Sequence, residues 1–207
     1  MRNRRNNPLR GKPKVAVVVD GETEAWYLTM LNRNEPNAKF QIKPEIPQIK
    51  SLSDQFDKVQ SLAKDYDTVV WMIDLDVILK ETREVKKGQP RPLDEFLKYK
   101  GFLDSVSNVT VIINQPCMEF WLLLHFEFTQ APFEDCARAE KRLVKHLTDY
   151  VKIQKYYTKE GDAIYLKLKE KLPIAIGRTK KFSEFDPENP DRGHSGMHKF
   201  FGILGLS

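Results

Sequence analysis

The chain has two cysteines, four histidines and no long hydrophobic run, and each shortage argues against a class of protein. Its apolar runs, such as Val15–Val19 and Phe120–Leu124, reach five residues, whereas a membrane-spanning helix takes roughly 20. A signal peptide needs an apolar stretch of about 7–15 residues, so the basic start ahead of Val15 does not read as one. A cytoplasmic location is therefore expected. Cys117 and Cys136 are too few for a disulfide framework and lie in no CxxC or Cys/His pattern that would suggest zinc. They are expected as reduced thiols. No GxGxxG, GxxxxGK[ST] or GxSxG occurs, so dinucleotide binding, P-loop nucleotide binding and a serine-hydrolase elbow lack support.

What is present is a chain of 207 residues, 41% hydrophobic and 30% charged, the size of one domain or of one domain with a helical extension. The net charge of +5 is unevenly spread. Residues 1–14 carry +6, residues 15–137 carry −7, residues 138–181 carry +8 and residues 182–207 carry −2. An acidic body is thus flanked by two basic segments. Residues 1–13, rich in Arg and Asn and without apolar period, read as a disordered basic arm.

The patterning then alternates. Lys14–Val19 is a β-branched run of strand length, followed by a turn and a helix from about Thr23 to Asn32. Lys39–Ile46, ending at Pro47, fits an edge strand, and Ser53 caps a helix carrying Phe56, Val59 and Leu62. Thr68–Ile73 reads as a central strand and Asn108–Ile113 as another. Residues 77–91 look like a solvated insertion, Pro92 opens a helix to about Ser105, and a helix spans Cys117–His125. Strand and helix alternate four times, which predicts an α/β fold with a mostly parallel central sheet flanked by helices. Beyond Phe133 no strong strand is expected. Amphipathic stretches near 134–149, 160–171 and 194–204 predict a helical C-terminal extension. The division expected is 1–13, 14–130 and 131–207.

Working groups of open α/β sheets collect at the carboxyl ends of the strands. Asp20, with Glu22 and Glu24, follows the first strand; Asp74 and Asp76 follow the third; Glu119 lies in the first turn of the helix after the fourth. One such Asp is ordinarily a helix cap or a loop residue. Three strand ends converging on acids point instead to a catalytic or metal site. In Asp74-Leu75-Asp76 the strand period of two would put both carboxylates on one face. Clustered carboxylates call for a cation, and oxygen ligands without His or Cys suit Mg²⁺ or Mn²⁺, the usual apparatus of phosphodiester chemistry.

Three segments, Val17-Val18-Val19-Asp20-Gly21-Glu22-Thr23-Glu24, Ile73-Asp74-Leu75-Asp76 and Asn114–Glu127 (NQPCMEFWLLLHFE), resemble the RloB family. The third is the most specific. The resemblance implies a Toprim-like fold, Mg²⁺ (or Mn²⁺) held by Asp74 and Asp76, and a general acid/base at the position of Asp20. It also implies a role in prokaryotic anti-phage defence, often beside an ATPase partner. Asp20 departs from the Toprim pattern, which has Glu there; its carboxylate stops about 1–1.5 Å short, and errors near 1 Å can cost about 10²-fold in rate. Glu22 or Glu24 are candidates to substitute, and Glu119 to support the site as a further metal or metal-water ligand.

The basic segment supplies the candidate nucleic-acid contacts. Arg138, Lys141, Arg142 and Lys145 share a helical face, and Arg178, Lys180 and Lys181 form a second cluster. Tyr150, Tyr156, Tyr157 and Tyr165 interleave with lysines as candidate base-stacking groups. Phe120, Leu123 and Leu124 read as core, His125 as a hydrogen-bonded structural histidine, and the His194/His198 pair lacks a third ligand. The expectation is a Mg²⁺-dependent nuclease, or nuclease subunit, acting on DNA or RNA. The alternatives are a non-catalytic binding module working with an ATPase subunit, and a phosphoesterase of small molecules. An oligomer is compatible with all three.

Overall fold

The computed structural model describes residues 13–36, 38, 40–48 and 51–206; apart from Pro13, the basic arm expected over 1–13 lies outside them. Five strands form one sheet in the order β2-β1-β3-β4-β5: β1 (Lys14–Val19), β2 (Gln41–Glu45), β3 (Thr68–Asp74), β4 (Val109–Gln115) and β5 (His194–Ser195). β1 pairs in parallel with β2 and β3, and β3 with β4; β5 alone is antiparallel. The helices are α1 (Glu22–Asn34), α2 (Leu52–Leu62), α3 (Asp76–Glu84), α4 (Pro92–Leu103), α5 (Met118–Leu123), α6 (Cys136–Leu143), α7 (Gln154–Thr158), α8 (Ile164–Leu168), α9 (Leu172–Thr179) and α10 (Met197–Leu204).

Alternation along the strands sends side chains to two cores. Val15, Val17 and Val19 of β1, with Val70, Met72 and Ile112, pack against α1, α5 and the C-terminal helices. Ala16, Val18, Val69, Trp71, Ile73 and Ile113 face α2, α3 and α4. The central strands β1 and β3 read as nearly continuous apolar runs because both faces are covered. β2 tolerates Pro44 because it is bonded on one side only, to β1. The helices of the extension share their core with the parallel strands: Tyr157, Leu168, Ile176 and Phe200 join the cluster that contains Val17 and Met72.

Four sequence-based expectations change. The N-cap of α2 is Ser51, whose hydroxyl accepts from the Asp54 N–H at 3.2 Å, rather than Ser53. The stretch taken for a solvated insertion contains α3, which buries Ile78 and Leu79; its apolar face is only two residues wide, too narrow to mark it in a charged sequence. β5 was not expected, since two residues carry no strand pattern, yet it closes the β4 edge through Asn114↔Ser195 and Gln115↔His194. Finally, α7 and α9 are short and fall between the expected amphipathic stretches.

The approach to β5 is tight. A Cβ added at Gly193 would lie 2.7 Å from Cε2 and Cζ of Phe120 and 3.1 Å from the Ala131 carbonyl oxygen. The Phe120 ring is itself held edge-on by Phe133, with centroids 5.3 Å apart. Gly193→Ala is therefore expected to destabilise the fold by about 1–3 kcal/mol through overpacking. A lower urea midpoint at unchanged m-value would show it, and an unchanged midpoint would refute it.

Candidate active site

A cavity of about 620 Å³ opens at the carboxyl ends of β1 and β3, lined by Asp20, Glu24, Asp74, Asp76, Cys117, Cys136 and Lys152 among others. Parallel strands deliver the acids. β1 ends one residue before Asp20, Gly21 precedes α1, and Glu24 sits in the first turn of that helix. A Cβ on Gly21 would lie 3.0 Å from Glu24 Oε2, so the glycine leaves the carboxylate its place. Asp74 is the last residue of β3, and Asp76 the first of α3. Both acids reach the cleft, but not by strand alternation. Leu75 turns into the helical region at φ −96°, ψ −9°, and its side chain is fully buried.

Each acid is held by a definite neighbour. Gln55 Nε2 donates to Asp20 Oδ1 at 3.1 Å, and Gln55 Oε1 accepts from the Trp71 indole at 2.9 Å. A core tryptophan thereby positions a cleft carboxylate through one amide. The Met118 N–H donates to Asp74 Oδ2 at 3.0 Å, tying the end of β3 to α5. The Leu75 and Asp76 amides both donate to the Pro116 carbonyl, at 3.0 and 3.1 Å, which draws the β3 and β4 ends together. The Val77 N–H donates to Asp76 Oδ1 at 2.8 Å.

Burial and mutual repulsion set the electrostatics. Glu24 is 4% exposed and Asp74 8%. Desolvation pushes the Glu24 carboxyl from its ordinary 4.5 up to about 7, with Glu119 and Asp20 adding repulsion and Lys152 opposing it. Desolvation likewise raises Asp74 well above the carboxylate range, reinforced by the charges of Glu24, Glu119 and Asp20. Asp76 is raised by burial. Asp74 Oδ1 is buried with no hydrogen-bond partner among the described residues. Such an atom is costly unless a cation or proton meets it. An all-oxygen set with an orphaned carboxylate oxygen fits a hard divalent cation such as Mg²⁺ or Mn²⁺.

Glu119 stands behind the cleft. It is fully buried, accepts from the Tyr150 hydroxyl at 2.8 Å and pairs with Lys152 Nζ at 2.8 Å. Burial works against the Lys152 charge, yet the Glu119 carboxylate holds its ammonium above the ordinary value. Glu22 is exposed at the start of α1 and does not line the cavity. Lys152 had no distinguishing signal in the sequence; it is one lysine of a basic segment, brought in by the loop before α7. Gln55 was equally inconspicuous, an amide on the face of α2.

Several other expectations are revised. Cys117 and Cys136 form a disulfide, because the start of α5 and the start of α6 meet with Cα atoms 5.6 Å apart. Tyr150, Tyr157 and Tyr165 are 4%, 0% and 1% exposed, so they pack in the core and offer no stacking platform. Arg178 donates to the Leu124 carbonyl at 2.8 Å, closing the end of α5. Arg138 pairs with Glu134 and Arg142 with Glu127. Lys141, Lys145, Lys180 and Lys181 are exposed, Lys181 lying over the Phe128 ring. His125 is buried against the Trp121 and Leu122 carbonyls, and burial lowers its pKa to about 4, the structural histidine expected. His194 packs on Phe182 and Phe185, and with His198 it joins no cluster of three metal-ligating groups among the described residues.

Fold and site define an α/β protein with a carboxylate-lined cleft at the carboxyl ends of parallel strands. The family model described as RloB-like protein matches residues 15–202, and the chain belongs to that family. Comparisons with curated proteins and with solved structures gave no match. Among the described residues no helix is long and apolar enough to cross a membrane.

The raised Glu24 has a thermodynamic signature. An unfolded glutamate releases its proton near 4.5, whereas folded Glu24 keeps it to about 7. The folded state then binds the extra proton across that window, so stability falls as pH rises through it. In chelator-treated protein, the melting temperature is expected to fall between these pH values more steeply for wild type than for Glu24→Gln. Equal slopes would contradict the assignment.

Proposed function

We propose that this protein is a divalent-cation-dependent nuclease, or the nuclease subunit of a prokaryotic anti-phage system, with the acidic cleft as its catalytic centre. The observation that carries this reading is the buried, unpartnered Asp74 Oδ1 set among the carboxylates of Asp20, Glu24 and Asp76. Asp74 and Asp76 would hold Mg²⁺ or Mn²⁺, with Asp20 completing the set. A cation bound there supplies a Lewis acid that activates water and neutralises the scissile phosphate. The Toprim-like reading of the sheet rests on the same three strand ends.

The chain's own groups have separable roles. Glu24, whose carboxyl is pushed up to about 7 by burial, is matched to neutral pH as the base that takes the proton from the attacking water. Asp20, held through Gln55, orients that water or a second ion. Lys152 reaches the cleft from the Glu119 ion pair and meets the negative charge that builds on the phosphate. α6 begins at the cavity wall with Cys136, and Lys141 lies five residues on, about 8 Å along the axis. Exposed Lys141 and Lys145 are thus candidates to hold the polynucleotide backbone. An ATPase partner, as the family resemblance implies, would gate the subunit.

The test is a cleavage assay on DNA and RNA with Mn²⁺ or Mg²⁺, with the candidate ATPase present and absent. Asp74→Asn is expected to lower cleavage by about 10²-fold or more while leaving the circular dichroism unchanged. Asp20→Glu is expected to retain or raise activity. A wild type that cuts nothing under these conditions, yet binds polynucleotide with a steep salt dependence, would replace the nuclease by a binding module.

A further inference from the structure

The two carboxylate oxygens of the buried Glu119 keep different company. Oε1 receives the Tyr150 hydroxyl and the Lys152 ammonium. Oε2 faces two sulfurs, Cys117 Sγ at 3.0 Å and Cys136 Sγ at 2.9 Å. A disulfide sulfur carries no hydrogen, so in the bonded form neither sulfur donates to this oxygen. A buried carboxylate oxygen is stabilised by a proton donor or a cation. Two thiols supply the first, and a metal ion shared with two thiolates supplies the second.

We propose that the reduced protein binds one zinc-like divalent cation through Cys117 Sγ, Cys136 Sγ and Glu119 Oε2. The site is distinct in chemistry from the carboxylate set of Asp20, Asp74 and Asp76 in the same cavity, and the disulfide is its closed form. The three ligand atoms are already gathered at one point, with Oε2 3.0 and 2.9 Å from the two sulfurs. Cutting the S–S bond frees them to part to the roughly 3.5–3.8 Å that separates ligands of one ion at Zn–S about 2.3 Å and Zn–O about 2.0–2.2 Å. Charge favours the same occupant. Two thiolates and a carboxylate outweigh a divalent cation by one negative charge, and Lys152 on the far oxygen of Glu119 balances it. Sulfur ligands select zinc over magnesium, so the two sites do not compete for one metal. Both cysteines line the cavity, which leaves the fourth position to water. Their separation of 19 residues hides the site from any CxxC pattern.

Opening the site is a two-electron step. A dithiol reductant gives two electrons and two protons to the S–S bond, becoming a disulfide itself, and the protein gains two thiols. Both protons leave when the cation binds the thiolates. The site exists whether or not the neighbouring cleft cuts phosphodiesters, so it stands or falls separately from the nuclease reading.

Full-length protein, reduced with a dithiol and freed of reagent without oxygen, is titrated with Co²⁺ and then Zn²⁺. A single equivalent of Co²⁺ should develop thiolate-to-cobalt charge-transfer absorption, which Zn²⁺ abolishes. Protein oxidised until no free thiol remains should show no such band, nor should reduced Cys136→Ser, whose substituted residue is only partly buried. Glu119→Gln should weaken Zn²⁺ binding about 10-fold or more. Asp74→Asn should keep the band. Absence of the band from reduced wild type, its survival in Cys136→Ser or its loss in Asp74→Asn would overturn the proposal.

Discussion

Carboxylates brought together at the mouth of one sheet repel one another, and much of the architecture serves to hold them there. Glu24 and Asp74 are nearly inaccessible, and both are driven toward protonation by burial before any neighbour acts. Their places are nevertheless well determined. The Met118 amide grips Asp74, the Pro116 carbonyl gathers the two amides that follow β3, and the Trp71–Gln55 relay holds Asp20. The polar contacts of the cleft are therefore continuous with the core, since Trp71 is itself buried among Val18, Val69 and Phe96.

The C-terminal helices complete this electrostatic arrangement. They cover one face of the sheet and bring Tyr150 and Lys152 onto Glu119, so that a cationic side chain, Lys152, lines the cleft. The basic segment is then less of an open track than its composition suggests. Arg138 and Arg142 are occupied by acids, Arg178 closes the end of α5, and three tyrosines of the segment lie in the core. Exposed lysines remain on and beyond α6 and after α9.

Strand content was legible because buried parallel strands must be apolar along their whole length. Val15–Val19 and Val69–Ile73 satisfy that requirement, Val109–Ile113 does so apart from Thr110, and all three lie where strands were expected. Glu24, Asp74 and Asp76 were legible for a related reason, since a strand's carboxyl end places the next few residues at the mouth of the sheet. Elements whose stability comes from contact rather than pattern were not legible. α3 buries two residues in a charged stretch, and β5 exists because Asn114 and Gln115 present a free edge. The cysteines illustrate the same limit. At a sequence separation of 19 they form no motif, and their pairing follows from α5 and α6 starting side by side.

By itself the sequence determined the alternation of strands and helices, the parallel sense of the main sheet and the presence of acids at three strand ends. Those features are local, written in the periodicity of apolar side chains and in the residues that interrupt it. Only the tertiary structure decided which acids share a cavity, that Glu22 faces solvent, that Lys152 enters from a distant loop and that two sulfurs meet over Glu119. These are properties of long-range packing. A charge acquires its chemistry from the groups that surround it, and the packed core chooses those groups from parts of the chain far apart in sequence.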